Sequence, residues 1–126
     1  AKAAEILERV GMAEKINQPA DSLSGGEQQR TAIARAIMQG GNILLADEPV
    51  ASLDPANAED VLELMKSLQK EKNITVIMNS HNLEQAVKYS DWIIGLNSGR
   101  IIYEGKPENL TAEIKEDIYR RDNSNG

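Results

Sequence analysis

The 126-residue sequence has no cysteine and no phenylalanine, and it contains a single tryptophan. The absence of cysteine excludes disulfides, thiolate metal ligands and a cysteine nucleophile. Because aromatic residues make up only 3% of the chain, leucine, isoleucine and valine must fill most of its core. The chain is long enough to bury one such core, and we expect one compact unit.

Long hydrophobic runs and clusters of positive charge are also missing. No uninterrupted apolar stretch approaches the roughly 20 residues that cross a bilayer, and the N-terminus lacks the basic-then-apolar pattern of a secretion signal. The formal net charge is -6, with 20 acidic against 14 basic residues, so the chain repels the phosphate backbone of nucleic acids. These absences predict a cytoplasmic chain with no direct membrane insertion and no nucleic-acid partner.

The strongest local pattern is a helix start. Ser24 and Glu27 have the Ser-x-x-Glu spacing of a capping box, in which each side chain accepts a backbone N–H of the other residue. The pattern predicts a helix that continues to about Met38, where two consecutive glycines end it. Upstream, apolar residues at helical spacing predict a shorter helix over residues 3–10.

Two short apolar runs predict strands. Residues 43–46 and 74–78 lie between turn signals and are too short for typical helices, which favours strands buried on both faces of a parallel sheet. Between them, Asp54 caps a helix that begins at Pro55 and continues to about Lys72. The inward face of this helix is expected to carry Val61, Leu62, Met65 and Leu68.

The following segment predicts a short helix and a hairpin. Asn82 caps a helix that continues to about Tyr89. Residues 92–96 and 100–104 flank the turn signal Asn97-Ser98-Gly99, as the two strands of an antiparallel hairpin do.

The order of these elements indicates the fold class. A helix over residues 111–120 closes a series in which strands and helices alternate, and such a series is typical of α/β folds. We predict parallel central strands flanked by helices, with an antiparallel hairpin at the edge of the sheet. Residues 1–120 are expected to form one domain and residues 121–126 a disordered tail.

Two motifs within these elements suggest chemistry. The octapeptide Leu23-Ser24-Gly25-Gly26-Glu27-Gln28-Gln29-Arg30 covers the helix start, and Asp47-Glu48-Pro49 follows the first strand. Unpaired N–H groups at a helix start favour an anion, and the two glycines let a phosphate approach closely. The carboxyl end of a parallel strand is where open α/β sheets bind ligands. Taken singly, the first motif also fits a plain capped helix, and the second a solvated turn.

The two motifs together resemble those of the ATP-binding-cassette (ABC) ATPases, in the order and at the spacing of that family. Ser52-Leu53-Asp54 and His81 extend the resemblance, which runs from about residue 7 to residue 107 and covers the C-terminal portion of these cassettes. It implies a partial P-loop NTPase fold. Residues 43–55 are most similar to phosphonate-importer ATPase subunits, although Ser80 is not the residue expected before the histidine in those proteins.

The resemblance implies roles in nucleotide binding across a dimer. The LSGGQ-like signature residues Ser24, Gly25, Gly26 and Glu27 would clamp the γ-phosphate of ATP that is held by a second, facing subunit. Ser52, Leu53 and Asp54 would form the D-loop, which communicates between the two nucleotide sites. Asp54 is equally suited to capping the helix that follows it, and the two roles can coexist.

The resemblance also implies roles in hydrolysis. In the Walker B motif, Asp47 would hold the shell of a Mg²⁺ ion, and Glu48 would polarise the attacking water as general base. His81, the only histidine of the chain, would contact the γ-phosphate as the switch histidine. Because it follows the second strand, it is expected at the same end of the sheet as Asp47.

The Walker A loop of the family, Gly-x-x-x-x-Gly-Lys-[Ser/Thr], is absent from the sequence. The only Gly-Lys pair, Gly105-Lys106, is followed by Pro107 and lacks the earlier glycine. That loop positions the β- and γ-phosphates, and positioning dominates phosphoryl-transfer catalysis. We therefore expect weak or no binding of ATP and Mg²⁺ by the chain alone, and no ATP hydrolysis.

The leading hypothesis is that the chain is the C-terminal half of an importer ATPase, peripheral to the inner membrane when assembled. The implied partners are a second ATPase subunit or the missing N-terminal half, a membrane permease subunit, and a further copy in a homo-oligomer. A cassette ATPase of DNA repair or translation is disfavoured by the acidic charge. The remaining alternative is a non-enzymatic module that self-associates or pairs with a full ATPase.

Overall fold

The computed structural model describes residues 24–121, which divide between two compact units with their boundary after His81. The first unit includes the described residues 24–81 and the second the described residues 82–121. The helix predicted over residues 3–10 lies outside the described residues, as does Leu23 of the octapeptide. Of the predicted tail, only Arg121 is described.

The first unit opens with helix α1, Gly25–Met38. Both halves of the predicted capping box are present, because the Ser24 hydroxyl accepts from the Glu27 N–H at 3.2 Å and the Glu27 carboxylate accepts from the Ser24 N–H at 3.0 Å. At the other end, Gly40 has a φ of 74°, a left-handed conformation that glycine adopts without steric cost. The predicted start and end of this helix are confirmed.

Helix α2, Pro55–Lys72, provides most of the core of this unit. The Asp54 carboxylate caps it by accepting from the Asn57 N–H at 2.8 Å, and Asn73 ends it in a left-handed conformation. The predicted inward face is confirmed, since its four residues are all buried, together with Ala58. Burying each large apolar side chain contributes about 1.5–3 kcal/mol. Ile33 and Ala34 of α1 are buried as well, and α1 packs against α2.

Strands β1, Ile43–Ala46, and β2, Thr75–Met78, pair in parallel in the register Ile43↔Thr75 to Ala46↔Met78. The strands are confirmed, but the prediction that both faces are buried is wrong. Ile43, Leu45 and Ile77 share one face and are 60%, 73% and 54% exposed. The opposite face is half-buried along both strands, and α2 packs against β2. A helix layer can cover only one face of a two-stranded ribbon.

The second unit begins with helix α3, Leu83–Tyr89, which Asn82 caps by accepting from the Gln85 N–H. Strands β3, Ile93–Asn97, and β4, Arg100–Gly105, form the predicted hairpin. The turn contains only Ser98 and Gly99, with φ of 52° and 76°. Two positive φ values are typical of a type I′ turn, whose twist matches that of the strands. Asn97 therefore ends β3 rather than belonging to the turn.

After a short 3₁₀ helix, Pro107–Asn109, helix α4, Ala112–Tyr119, packs on the hairpin. Gly95 permits this packing, since a Cβ there would lie 2.7 Å from Ile118 Cδ1. The Asn97 amide donates to the carbonyl oxygens of Asp117 at 2.8 Å and Arg120 at 2.6 Å, which ties the end of α4 to β3.

The predicted α/β class, parallel strand pair and antiparallel hairpin are confirmed. Within residues 24–121, the hairpin forms a two-stranded sheet of its own. In the same range, none of the helices has both the length and the apolar character needed to traverse a membrane.

Candidate functional site

The carboxyl end of the β1–β2 ribbon brings together residues from two separate parts of the chain. Because Ala46 and Met78 are partners in the parallel register, Asp47 and Asn79 follow them at the same end of the ribbon. The backbone N–H of Asn79 donates to the Ala46 carbonyl at 3.3 Å, which extends the pairing by one residue. The expectation that side chains after the two strands meet at one end of the sheet is correct.

Asn79 contacts both acidic residues of the Asp47-Glu48 pair. Its Nδ2 donates to Asp47 Oδ1 at 2.7 Å, and its Oδ1 accepts a short hydrogen bond from the backbone N–H of Glu48. Only this orientation of the amide suits both contacts, because the flipped orientation would face donor with donor and acceptor with acceptor. The amide is thus a bridge between the two strand ends.

Glu48 itself has an unusual backbone conformation. Its φ of 45° lies in the left-handed region, which residues with a Cβ adopt at a steric cost. A turn follows immediately, in which the Ala51 N–H donates to the Glu48 carbonyl at 3.2 Å. Such strain persists only where surrounding contacts maintain it.

His81 lies beside the same glutamate. Its Nε2 contacts Glu48 Oε1 at ion-pair distance, which becomes a charge pair when the imidazole is protonated. The His81 side chain is 88% exposed and the Glu48 side chain 38% exposed. Asp47, Glu48 and His81 therefore share one solvent-accessible rim of the first unit, with Asn79 between the strand ends.

The start of α1 contains the predicted signature residues. The Ser24 oxygen accepts from the Glu27 N–H, so the hydroxyl hydrogen is still available to donate. The N–H groups of Gly25 and Gly26 belong to the first turn, where a helix offers no internal acceptor. This end of α1 can present donors to an anion, although the cap already uses the Glu27 N–H and carboxylate.

The two glycines of this helix start also have a packing role. Gly26 is buried, and a Cβ there would meet the Asn57 side chain at 3.4 Å. A Cβ on Gly25 would lie 3.0 Å from Leu53 Cδ2. A side chain at position 25 would therefore have to displace the end of the Leu53 side chain, whereas a Cβ at position 26 would make an ordinary contact with Asn57.

The segment Ser52-Leu53-Asp54 joins the acidic turn to α2. Asp54 is the N-cap, as the sequence predicts, and Leu53 contacts the start of α1 while Ser52 is exposed. The Leu53 N–H donates to the Val50 carbonyl at 3.1 Å. This segment consequently connects the helix start and the acidic turn within one unit.

Comparison with known proteins decides the family. The family model for ABC transporters matches residues 1–51. The phosphonates import ATP-binding protein PhnC 2 of Roseobacter denitrificans is 49% identical over 118 residues, which cover 94% of this chain and 44% of that protein. PhnC 2 of Halalkalibacterium halodurans is 46% identical over 119 residues, covering 94% of this chain and 49% of that protein. The chain belongs to the ABC transporter family of ATP-binding proteins.

Solved ABC transporter structures agree with this membership. The ADP conformation of MJ1267, an ATP-binding cassette of an ABC transporter, superimposes with a TM-score of 0.80 at 33% identity, covering 93% of this chain and 44% of that one. CbiO1 from Clostridium perfringens, part of the ABC transporter complex cbiONQ, gives 0.80 at 32% identity over 85% and 43% of the two chains. The chain spans less than half the length of these relatives.

ABC ATPases work with ATP and Mg²⁺, and the residues present fit the metal better than the phosphates. Within residues 24–121, no group of three or more histidine and acidic side chains forms a ready metal cluster. Mg²⁺ usually takes one or two carboxylates plus waters and substrate phosphates, so a single aspartate at the rim suits it. Asp47 is exposed and has Oδ2 available beside the oxygen that Asn79 holds. The loop that would hold the phosphates is not in this sequence.

Two residues that contact the acidic turn at residues 47–51 are not predicted from the sequence. Asn79 reads as an ordinary polar residue after a strand, and only the β1–β2 register shows that it faces the acidic pair. Gln29, for which the sequence predicts no role, donates a short hydrogen bond from Nε2 to the Pro49 carbonyl. It lies on the second turn of α1, so it connects the signature helix to the residue after Glu48. Position within the signature octapeptide was the available signal for Gln29.

Proposed function

We propose that these 126 residues supply the Walker B, switch-histidine, D-loop and signature parts of an importer ATPase, and that hydrolysis requires a Walker A loop from outside them. The gathering of Asp47, Glu48 and His81 on one rim is the observation that supports this function most strongly. The relatives' names add the import of phosphonates as the transported class. In this proposal the chain corresponds to the C-terminal half of its relatives.

The rim residues divide the work of hydrolysis. Asp47 holds the Mg²⁺ shell, and the ion, when bound, neutralises charge on the phosphate oxygens. Glu48 accepts a proton from the attacking water through the carboxylate oxygen that His81 leaves available. His81 orients that carboxylate through Nε2. The opposite side of its imidazole ring is directed towards the γ-phosphate. Asp47 and His81 are exposed and Glu48 is half-buried, which leaves room for a nucleotide to approach from outside the unit.

The signature residues act on a nucleotide held by a facing subunit. The Ser24 hydroxyl hydrogen and the first-turn N–H groups of Gly25 and Gly26 donate to the γ-phosphate of that ATP, assisted by the helix dipole. The working unit is therefore a dimer of ATPase subunits. Closure of this dimer drives a membrane permease, and the ATPase lies on the cytoplasmic side of the inner membrane.

A gain-of-function experiment tests the proposal. The residues of the Roseobacter denitrificans relative that precede the matched segment are joined in frame ahead of residue 1. We call the product the fusion ATPase. Phosphate release is measured with ATP and Mg²⁺ for the 126-residue chain and for the fusion ATPase. We expect no turnover above background for the chain alone and Mg²⁺-dependent turnover for the fusion ATPase.

Two controls make this result specific. Replacing the Walker A lysine of the fused segment by alanine must abolish turnover, because that lysine positions the β- and γ-phosphates. Circular dichroism establishes that each protein is folded. Turnover by the 126-residue chain alone contradicts the proposal, and so does a folded fusion ATPase that binds ATP without hydrolysing it.

A second candidate function is a non-enzymatic module that self-associates or pairs with a full ATPase. The exposed apolar face of Ile43, Leu45 and Ile77 favours it, because proteins commonly cover such surface by association. This candidate predicts a concentration-dependent oligomer that binds no nucleotide.

Sedimentation velocity over a wide concentration range separates the two candidates. Leu45→Glu places a charge on the exposed face and is expected to disperse an oligomer that uses this face. Glu63→Gln, which alters an exposed residue of α2, is the control. A monomer at every concentration excludes self-association, and an oligomer unchanged by Leu45→Glu excludes this face as its interface.

A further inference from the structure

The side-chain amide of Asn79 makes two contacts that have opposite chemical requirements. Nδ2 donates to the Asp47 carboxylate at 2.7 Å, and Oδ1 accepts from the backbone N–H of Glu48. Among side chains of this length only a primary amide offers a donor and an acceptor together in one plane. Aspartate has the same shape but no donor when it is ionised.

Both contacts hold residues of the turn that follows β1. Asp47 is exposed, and Glu48 has a left-handed φ of 45° that is sterically disfavoured for glutamate. The hydrogen bond to the Glu48 N–H fixes the Asp47–Glu48 peptide group, from which the strained residue continues. Together with the bond to the Asp47 carboxylate, it holds the start of the turn against β2.

The location of Asn79 gives these contacts a rigid base. It follows β2 directly, and its own N–H donates to the Ala46 carbonyl of β1 at 3.3 Å. The backbone of Asn79 is thus fixed by the parallel ribbon, and its side chain extends across to the neighbouring strand end. On the other side of the turn, Gln29 donates to the Pro49 carbonyl.

We propose that Asn79 is a positioning residue for ATP hydrolysis, which holds the Asp47 carboxylate and the Glu48 backbone in the arrangement used by the metal and the attacking water. This inference rests on the proposed function of the rim. Asn79 itself touches neither reactant in this assignment. Its effect is to preset two groups whose displacement by about 1 Å can lower a rate by about a hundredfold.

The geometric part is tested in the 126-residue chain by nuclear magnetic resonance. A scalar coupling across the hydrogen bond, between the Glu48 amide nitrogen and the Asn79 side-chain carbonyl carbon, is expected in the wild type. Asn79→Asp retains an acceptor for this N–H, whereas Asn79→Ala removes it. Exchange of the Glu48 amide hydrogen is therefore expected to become about tenfold faster in Asn79→Ala but not in Asn79→Asp.

The catalytic part is tested in the fusion ATPase. Asn79→Ala is expected to lower kcat by about tenfold to a hundredfold while KM for ATP stays within about twofold, since only the chemical step depends on the preset geometry. Asn79→Asp is expected to lower kcat as well, because a second carboxylate then faces Asp47. Asn42→Asp makes the same change at an exposed position before β1, at the opposite end of the strand, and is expected to leave kcat unchanged.

Each result tests a separate part of the inference. An unaltered kcat in Asn79→Ala, or an unaltered Glu48 amide exchange, overturns the positioning role. The positioning role is also overturned if the Asn79 variants and Asn42→Asp lose kcat and thermal stability to the same extent. If the wild-type fusion ATPase has no turnover, the proposed function fails and the catalytic part of the inference fails with it. Even then, faster exchange of the Glu48 amide hydrogen in Asn79→Ala but not in Asn79→Asp establishes that Asn79 holds the turn.

Discussion

The imidazole of His81 contacts the carboxylate of Glu48 through Nε2 and Oε1, although 33 positions of sequence number separate the two residues. The contact exists because the parallel register aligns the ends of β1 and β2. Glu48 is thereby contacted through both its side chain and its backbone by the segment that follows β2. This arrangement gives the general-base assignment a geometric basis that can be tested by substitution.

Replacing the glutamate is the most direct test of its role. Glu48→Gln retains the shape of the side chain but removes the basic oxygen, and we expect kcat of the fusion ATPase to fall by about a hundredfold to ten-thousandfold. ATP binding, measured by equilibrium dialysis, is expected to persist. Glu63→Gln makes the same chemical change on the exposed side of α2 and is expected to leave kcat unaltered. Full turnover in Glu48→Gln would remove this residue from the mechanism.

Substitution of the histidine separates orientation from stability. His81 is largely exposed, and exposed ion pairs stabilise a fold by less than about 1 kcal/mol. We expect His81→Ala to change the urea midpoint little but to lower kcat of the fusion ATPase clearly. His81→Gln restores an N–H donor and is expected to recover part of the activity. A large loss of stability with unchanged turnover would assign the contact to folding alone.

Two substitutions of the serine before α1 distinguish capping from phosphate binding. Ser24→Ala removes the cap and is expected to destabilise the chain by about 1 kcal/mol in urea denaturation. Ser24→Asp retains a capping oxygen, so its stability should remain near that of the wild type. Both variants are expected to lower ATP turnover of the fusion ATPase, because neither can donate a hydroxyl hydrogen to phosphate. Normal turnover in Ser24→Asp would leave only the capping role.

A matched pair of leucine substitutions tests where the core lies. Leu62 is 2% exposed on the inner face of α2, and Leu62→Ala is expected to cost about 2–5 kcal/mol because it leaves a cavity. Leu45 is 73% exposed on β1, and Leu45→Ala is expected to cost less than about 0.5 kcal/mol. Urea denaturation followed by circular dichroism measures both. Equal losses would mean that another surface covers the outer face of the ribbon in solution.

Local signals were sufficient to predict most of the fold. The capping box of Ser24 and the Asp54-Pro55 helix start each depend on contacts within one turn, and the structure has both. Exposure of Leu45 could not be predicted in this way. An apolar run indicates what a strand prefers to contact, whereas burial depends on which layers are present.

The location of candidate residues could be predicted where a motif has a fixed place relative to a strand, and could not be predicted where contact depends on register. Asp47 and His81 were expected at one end of the sheet because they follow its strands. Asn79 was missed, since a lone asparagine after a strand has no distinguishing pattern until the partner strand is aligned. Gln29 was missed for a related reason, because its partner is a backbone carbonyl that contributes no side-chain signal.

The uncovered face of the parallel ribbon also governs how the isolated protein must be handled. Ile43, Leu45 and Ile77 form a solvent-exposed apolar patch on this face. The chain as a whole bears a net negative charge. Sulfate salts are excluded from protein surfaces and strengthen apolar contacts, so they are expected to retain the chain on a phenyl resin or precipitate it early. Low ionic strength preserves mutual repulsion between the acidic chains, and purification is best completed there.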